Sequence, residues 1–112
     1  MIEIKTASSQ KREVNITEWT DEVKAFVKDL NVFERLVFED QLNAYVSPDK
    51  SADERAEAGI AICLLALVGE NGEPLFGPEY MEPLKKASFS PVTRVIQMLA
   101  EPGREDDSLK KG

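Results

Sequence analysis

Histidine is absent from this 112-residue chain, and cysteine and tryptophan occur once each. Without histidine, the commonest general base and the commonest metal ligand are both missing. The single cysteine, Cys63, cannot form an internal disulfide, and its place inside an apolar run reads as a small core hydrophobe in a reducing compartment. Basic character is also scarce: 14 Lys and Arg stand against 21 Asp and Glu, for a net charge of −7. That balance favours solubility and argues against a surface built to neutralise phosphates, so no nucleic-acid partner is expected. The longest apolar run, Ala58 to Val68, falls well short of the ~20 residues that cross a bilayer. Met1-Ile2-Glu3-Ile4-Lys5 also lacks the plan of a signal peptide. The expectation is a cytoplasmic protein with no membrane association.

What chemistry remains rests on carboxylates. Glu39-Asp40 and Asp53-Glu54 are adjacent pairs, but neighbours on a helix point about 100° apart and do not converge on one atom. Gly69-Glu70-Asn71-Gly72 lacks the Gly-Lys-Ser/Thr ending of a phosphate loop and follows a helix rather than a strand. Asp106-Asp107 supplies too few ligands for a calcium loop. The expectation is therefore no catalytic site, no cofactor and no metal, with function carried by surfaces.

The fold signals run in order along the chain. Residues 1–12 have little periodicity and are expected to form a flexible arm. Val14 to Trp19 alternates as a half-exposed strand should, and Thr20-Asp21 would turn it back into Glu22–Leu30, with Val23, Ala25 and Val27 on one face. An amphipathic helix from Thr20 is the competing reading of the second segment. Asn31 can cap a helix in which Phe33, Leu36, Val37, Leu42, Tyr45 and Val46 form the apolar stripe, ended by Pro48. Ser51 and Glu54 form a capping box for a second helix, which becomes apolar all round from Ile60 to Val68 and stops at Gly69.

Asn71-Gly72 favours a tight turn, and Gly77-Pro78 starts another helix that Pro83 interrupts. Ser90-Pro91 opens a last helix with Val92, Val95, Ile96 and Leu99 at core spacing, stopped by Pro102-Gly103. The fold class expected is mainly α with a small N-terminal β-hairpin (α+β), about four short helices packing around the Ile60–Val68 helix. The expected domains are the arm, one globular domain over 13–101, and a disordered tail over 102–112. Residues 31–58 carry seven acids and three bases, so the first two helices could present an acidic face. Trp19, Phe26 and Phe33 fall near the hairpin–helix junction.

Four segments together resemble the tail assembly chaperones of long-tailed bacteriophages and prophages, across roughly Glu13 to Glu101. They are Ile16-Thr17-Glu18-Trp19 followed by Val23 to Leu30, Glu34-Arg35 with Phe38-Glu39, Leu67-Val68-Gly69-Glu70-Asn71-Gly72-Glu73-Pro74-Leu75-Phe76, and Leu84, Ser88 and Arg94-Val95-Ile96. Departures are Gly69-Glu70-Asn71-Gly72, where the family pattern has more acidic residues before the glycine, and Thr20-Asp21, where glycines would give a tighter turn. The resemblance implies a non-enzymatic chaperone that binds the tape-measure protein in the host cytoplasm and keeps it soluble for tube assembly, without entering the mature virion. It also implies contact with the tail tube protein, and the modest core leaves room for a homo-oligomer. Trp19, Phe33, Phe76 and Tyr80, at element edges, are the candidate partner-binding residues. Two other readings are a structural virion component (minor tail or head–tail connector protein) and a small ligand-binding domain.

Overall fold

The computed structural model describes residues 2–4 and 10–100. Its elements are β1 (Lys11–Val14), β2 (Ala25–Lys28), α1 (Val32–Val46), α2 (Ala52–Ala66), β3 (Leu67–Val68), a 3-10 turn (Pro78–Tyr80), α3 (Met81–Lys85) and α4 (Ser90–Ala100). This is the expected small α+β fold, with the helices arranged around α2, which packs against α1, α3 and α4. The expected tail, the stop at Pro102-Gly103 and half of the expected arm lie outside the described residues.

Both expected caps are present. The Asn31 side chain accepts the Glu34 amide at 2.7 Å while the Glu34 carboxylate accepts the Asn31 amide at 3.1 Å. Ser51 and Glu54 repeat the exchange at 3.1 and 3.0 Å. Each pair satisfies two amides that the first turn of a helix leaves without partners.

The hairpin differs from the expected one. Pairing ends at Val14, which faces Ala25, and Lys11 and Arg12 lie in β1 rather than in a loose arm. Asn15 to Trp19 is not a strand. It begins a ten-residue connection in which the Trp19 and Thr20 amides both donate to the Ile16 carbonyl. Alternation still predicts the faces near the strand: Val14 and Ile16 are buried, as are Ala25 and Val27. Val23 lies beyond the paired segment and is 47% exposed.

The apolar run also divides differently. Helix α2 ends at Ala66, and Leu67–Val68 becomes β3, pairing antiparallel with Phe26 and Val27. The strand order is therefore β1-β2-β3. A run buried on every side carries no periodicity that separates helix from strand, so the expected helix through Val68 with its stop at Gly69 is two residues too long, and pairing with β2 makes Leu67–Val68 a strand. The Asn71-Gly72 turn follows as expected: Gly72 takes φ 86°, Gly69 N–H donates to the Glu73 carbonyl at 2.8 Å, and Val68 bridges to Pro74. Pro83 sits in the first turn of α3, where a missing amide is tolerated.

One core joins these parts. Val14, Ile16, Val27, Phe38, Ile62, Cys63, Ala66, Leu67, Val92, Val95 and Leu99 pack together, with Ala25 completing the sheet's inner face. The expected apolar stripe of α1 is buried only in part: Leu42 and Tyr45 pack against the core. Phe38 is the helix's one fully buried residue, whereas Phe33, Leu36 and Val46 are exposed. Phe38 lies about 140° around the helix from Phe33, so both cannot face α2.

Candidate partner-binding groove

Three of the four candidate residues come together. The Phe76 ring meets Trp19 edge-on, with centroids 6.0 Å apart, and Tyr80 from the other side at 5.0 Å. These are favoured aromatic geometries, in which a positive ring edge faces a negative ring face. The rings border a groove of about 390 Å³, whose lining is completed mainly by Val23, Leu75, Pro83, Leu84 and Ala87. Its residues come from the β1–β2 connection, the segment after the Gly72 turn, and the 3-10 turn with α3. Trp19 and Phe76 are half-buried and Tyr80 is 40% exposed, so the groove offers apolar area to solvent.

Phe33 is not part of this groove. It stands on α1, 73% exposed, with Val32 and Leu36 beside it. The expected gathering of Trp19, Phe26 and Phe33 does not form either: Trp19 contacts Phe76, and Phe26 lies beneath Lys11 Nζ at 5.4 Å. Leu75 lines the groove beside Phe76, as its place just after the glycine turn suggests, whereas Val23 reads by alternation as part of the hairpin's inner face, and only the folded chain shows that it edges a depression.

Polar contacts hold the groove's walls. The Trp19 Nε1–H donates to the Ser88 carbonyl at 2.7 Å. Beside it, Arg94 donates to both Glu18 oxygens, at 2.7 and 2.5 Å, and to the Asn15 carbonyl at 2.9 Å. The Arg94 hydrogen bonds hold the Glu18 carboxyl well below the ordinary range, at about 2. On the opposite wall, Lys85 of α3 lies within 2.8 Å of both Asp53 and Glu57 on α2 and 3.1 Å of Glu82. These hydrogen bonds, Asp53 first, raise the Lys85 pKa, so the ammonium stays charged and ties α3 to α2.

The same pairs consume much of the acidic face expected on the first two helices. Glu34 binds Lys28 at 2.6 Å, Glu39 lies 3.5 Å from Arg35, and Glu54 is used in its cap. A larger cleft of about 530 Å³ lies among Lys11, Arg12, Lys28 and Arg35, but its arginines are engaged on α4. Arg12 donates to the Met98 carbonyl and Arg35 to the Leu99 carbonyl, capping that helix's C-terminal end.

Cys63 is fully buried, and burial pushes its thiol up to about 12, far from a nucleophile's range. Among the described residues, no group of three or more His, Cys, Asp or Glu could hold a metal, and no helix is long and apolar enough to cross a membrane.

The geometry defines a small α+β protein with an aromatic-edged groove and, apart from it, an exposed apolar group on α1 formed by Val32, Phe33 and Leu36. No family model matches the sequence, and no curated protein does. The fold has a solved counterpart: it is similar to the tail assembly chaperone of bacteriophage HK97, with a TM-score of 0.54 and 18% identity. The match covers 81% of this chain and 83% of that one. At that level of identity the likeness is one of fold.

Proposed function

We propose that this chain is a phage tail assembly chaperone that binds the tape-measure protein and keeps it soluble until tail-tube subunits assemble around it. The observation that carries the reading is the fold likeness to a tail assembly chaperone over most of both chains. The groove supplies a physical means. A holdase must cover apolar stripes on its client reversibly, which calls for apolar area bordered by charge rather than a deep pocket. A depression edged by Trp19, Phe76 and Tyr80 suits the apolar face of an amphipathic helix, the form expected of a long helical client. No step of this role requires a reactive group, and binding takes place in the host cytoplasm before the tail is complete.

Co-expression with the tape-measure protein tests the proposal. The expected result is a soluble complex recovered by pull-down, with soluble yield reduced by Trp19→Ala or Tyr80→Ala. A client equally insoluble with and without the chain would overturn it. Mass spectrometry of purified virions separates the role from that of a structural component: a chaperone is absent from the finished particle.

A further inference from the structure

The β1–β2 connection, residues 15–24, is long for a hairpin, where loops of about 2–5 residues are usual. A loop of this length without a sheet partner would sample many conformations, yet one wall of the groove stands on it. Besides the backbone turn that the Trp19 and Thr20 amides close onto the Ile16 carbonyl, two kinds of contact restrain it. Ile16 is buried, which pins the loop's first half to the core. Asn15, Glu18 and Trp19, in the same half of the loop, are held by polar contacts to a different part of the fold.

All of those contacts lead to the start of α4. Ser88, just before the helix, accepts the Trp19 Nε1–H. Arg94, in the helix's second turn, takes both oxygens of Glu18 and the carbonyl of Asn15. A guanidinium that grips a carboxylate through two parallel bonds fixes orientation as well as distance. The Asn15 bond adds a third point, so Arg94 spans the loop from its first residue to the one before Trp19. The indole's one polar atom is also satisfied away from the groove, which leaves the ring itself for apolar contact.

We infer that Arg94 is a positioning residue for the groove: through Glu18 and Asn15 it holds residues 15–18 as a strap that presents the adjoining Trp19 ring to a bound partner. Arg94 does not line the groove, so its effect on binding passes through Trp19. The inference rests on the reading of the groove as the client surface. A wall fixed before binding spares the partner the entropy of ordering a mobile side chain and its loop.

Trp19 is the only tryptophan, so its fluorescence reports the strap without any client present. In Arg94→Ala, acrylamide quenching is expected to rise toward the unfolded value and anisotropy to fall, while far-UV circular dichroism is retained. Glu18→Gln provides the same readout if the arginine variant folds poorly, and Arg94→Lys, which cannot grip two oxygens in parallel, should be intermediate. Titration with the tape-measure protein should then show affinity lower by about two- to tenfold in Arg94→Ala, the scale of one ordered side chain. Unchanged quenching in both Arg94→Ala and Glu18→Gln would overturn the inference. So would full affinity in Arg94→Ala where Trp19→Ala is weakened. If Trp19→Ala itself binds normally, the groove is not the client surface, and that result is distinct from failure of the strap.

Discussion

Gly59 occupies the middle of α2, where glycine ordinarily costs roughly 1 kcal/mol relative to alanine. Propensity alone therefore predicts that Gly59→Ala is stabilising. The tertiary structure reverses the sign. A methyl group there would meet Cδ1 and Cε1 of Tyr45 at 3.0 Å and Cγ1 of Val92 at 3.2 Å, inside the ~3.5–4.0 Å of a comfortable carbon contact. Tyr45 lies nearly parallel to Phe89, with centroids 6.4 Å apart, and Val92 is a buried β-branched residue with little rotamer freedom. Neither can yield without disturbing a second neighbour. Overpacking of this kind costs about 1–3 kcal/mol, so the expected net loss is on the order of 1 kcal/mol.

For a domain of this size that loss lowers the melting midpoint by roughly 4–8 °C. Thermal and urea unfolding, followed by circular dichroism, read the change. The decisive comparison repeats the substitution in a Tyr45→Ala background. There the two shortest contacts are gone, and Gly59→Ala should become neutral or stabilising by up to about 1 kcal/mol. A higher midpoint for Gly59→Ala in the wild-type background would refute the reasoning. An undiminished penalty in the Tyr45→Ala background would do so equally.

Phe38→Ala should cost about 3–5 kcal/mol, a large part of a small domain's stability, whereas Phe33→Ser on the same helix should stay within about 0.5 kcal/mol in the same assay. The Glu18 carboxyl has a folded pKa of about 2 against 4.5 unfolded, so its stabilising contact is complete above about 4.5 and is lost as pH falls toward 2. Trp19 emission of the folded protein should accordingly hold steady from neutral pH to well below 4.5 and change as the pH approaches 2. A change complete before pH 4.5 would contradict the Glu18–Arg94 contact. Cys63 should react with a thiol reagent only as fast as the chain unfolds, since its sulfur is buried and its thiol is shifted to about 12. Rapid labelling of the native protein would show that α2 is more open than this packing allows.

Much of the architecture was legible because its signals are local. Capping boxes at Asn31 and Ser51 depend on residues three apart, and a helix start can be read from them directly. The Val92, Val95 and Leu99 spacing worked because α4 has a single buried face. The same reasoning held only in part on α1, which carries apolar residues around most of its circumference: Leu42 and Tyr45 pack on the core, and Phe33, Leu36 and Val46 do not. There the identity of the buried residue, Phe38, depends on where α2 lies. The hairpin failed for a related reason. Alternation identified which side chains point inward, but the end of pairing depends on backbone partners that the pattern does not name.

The candidate site divides in the same way. Trp19, Phe76 and Tyr80 were selected as aromatics at element edges, and folding brings them together from segments far apart in the chain. Phe33 satisfied the same criterion and lies elsewhere. Arg94 left no local signal, because its role is a contact with Glu18 across 76 positions of sequence.

The sequence by itself determined the acidic surface charge, the absence of histidine chemistry, the capped helices and the glycine turn, since each follows from composition or from neighbours a few residues apart. Tertiary structure alone decided that Leu67-Val68 is a strand, that Phe38 rather than Phe33 enters the core, and that a strap held by Arg94 completes an aromatic groove. Those outcomes are contacts between distant segments, whose free energy exists only once the backbone has brought both partners within a few ångströms.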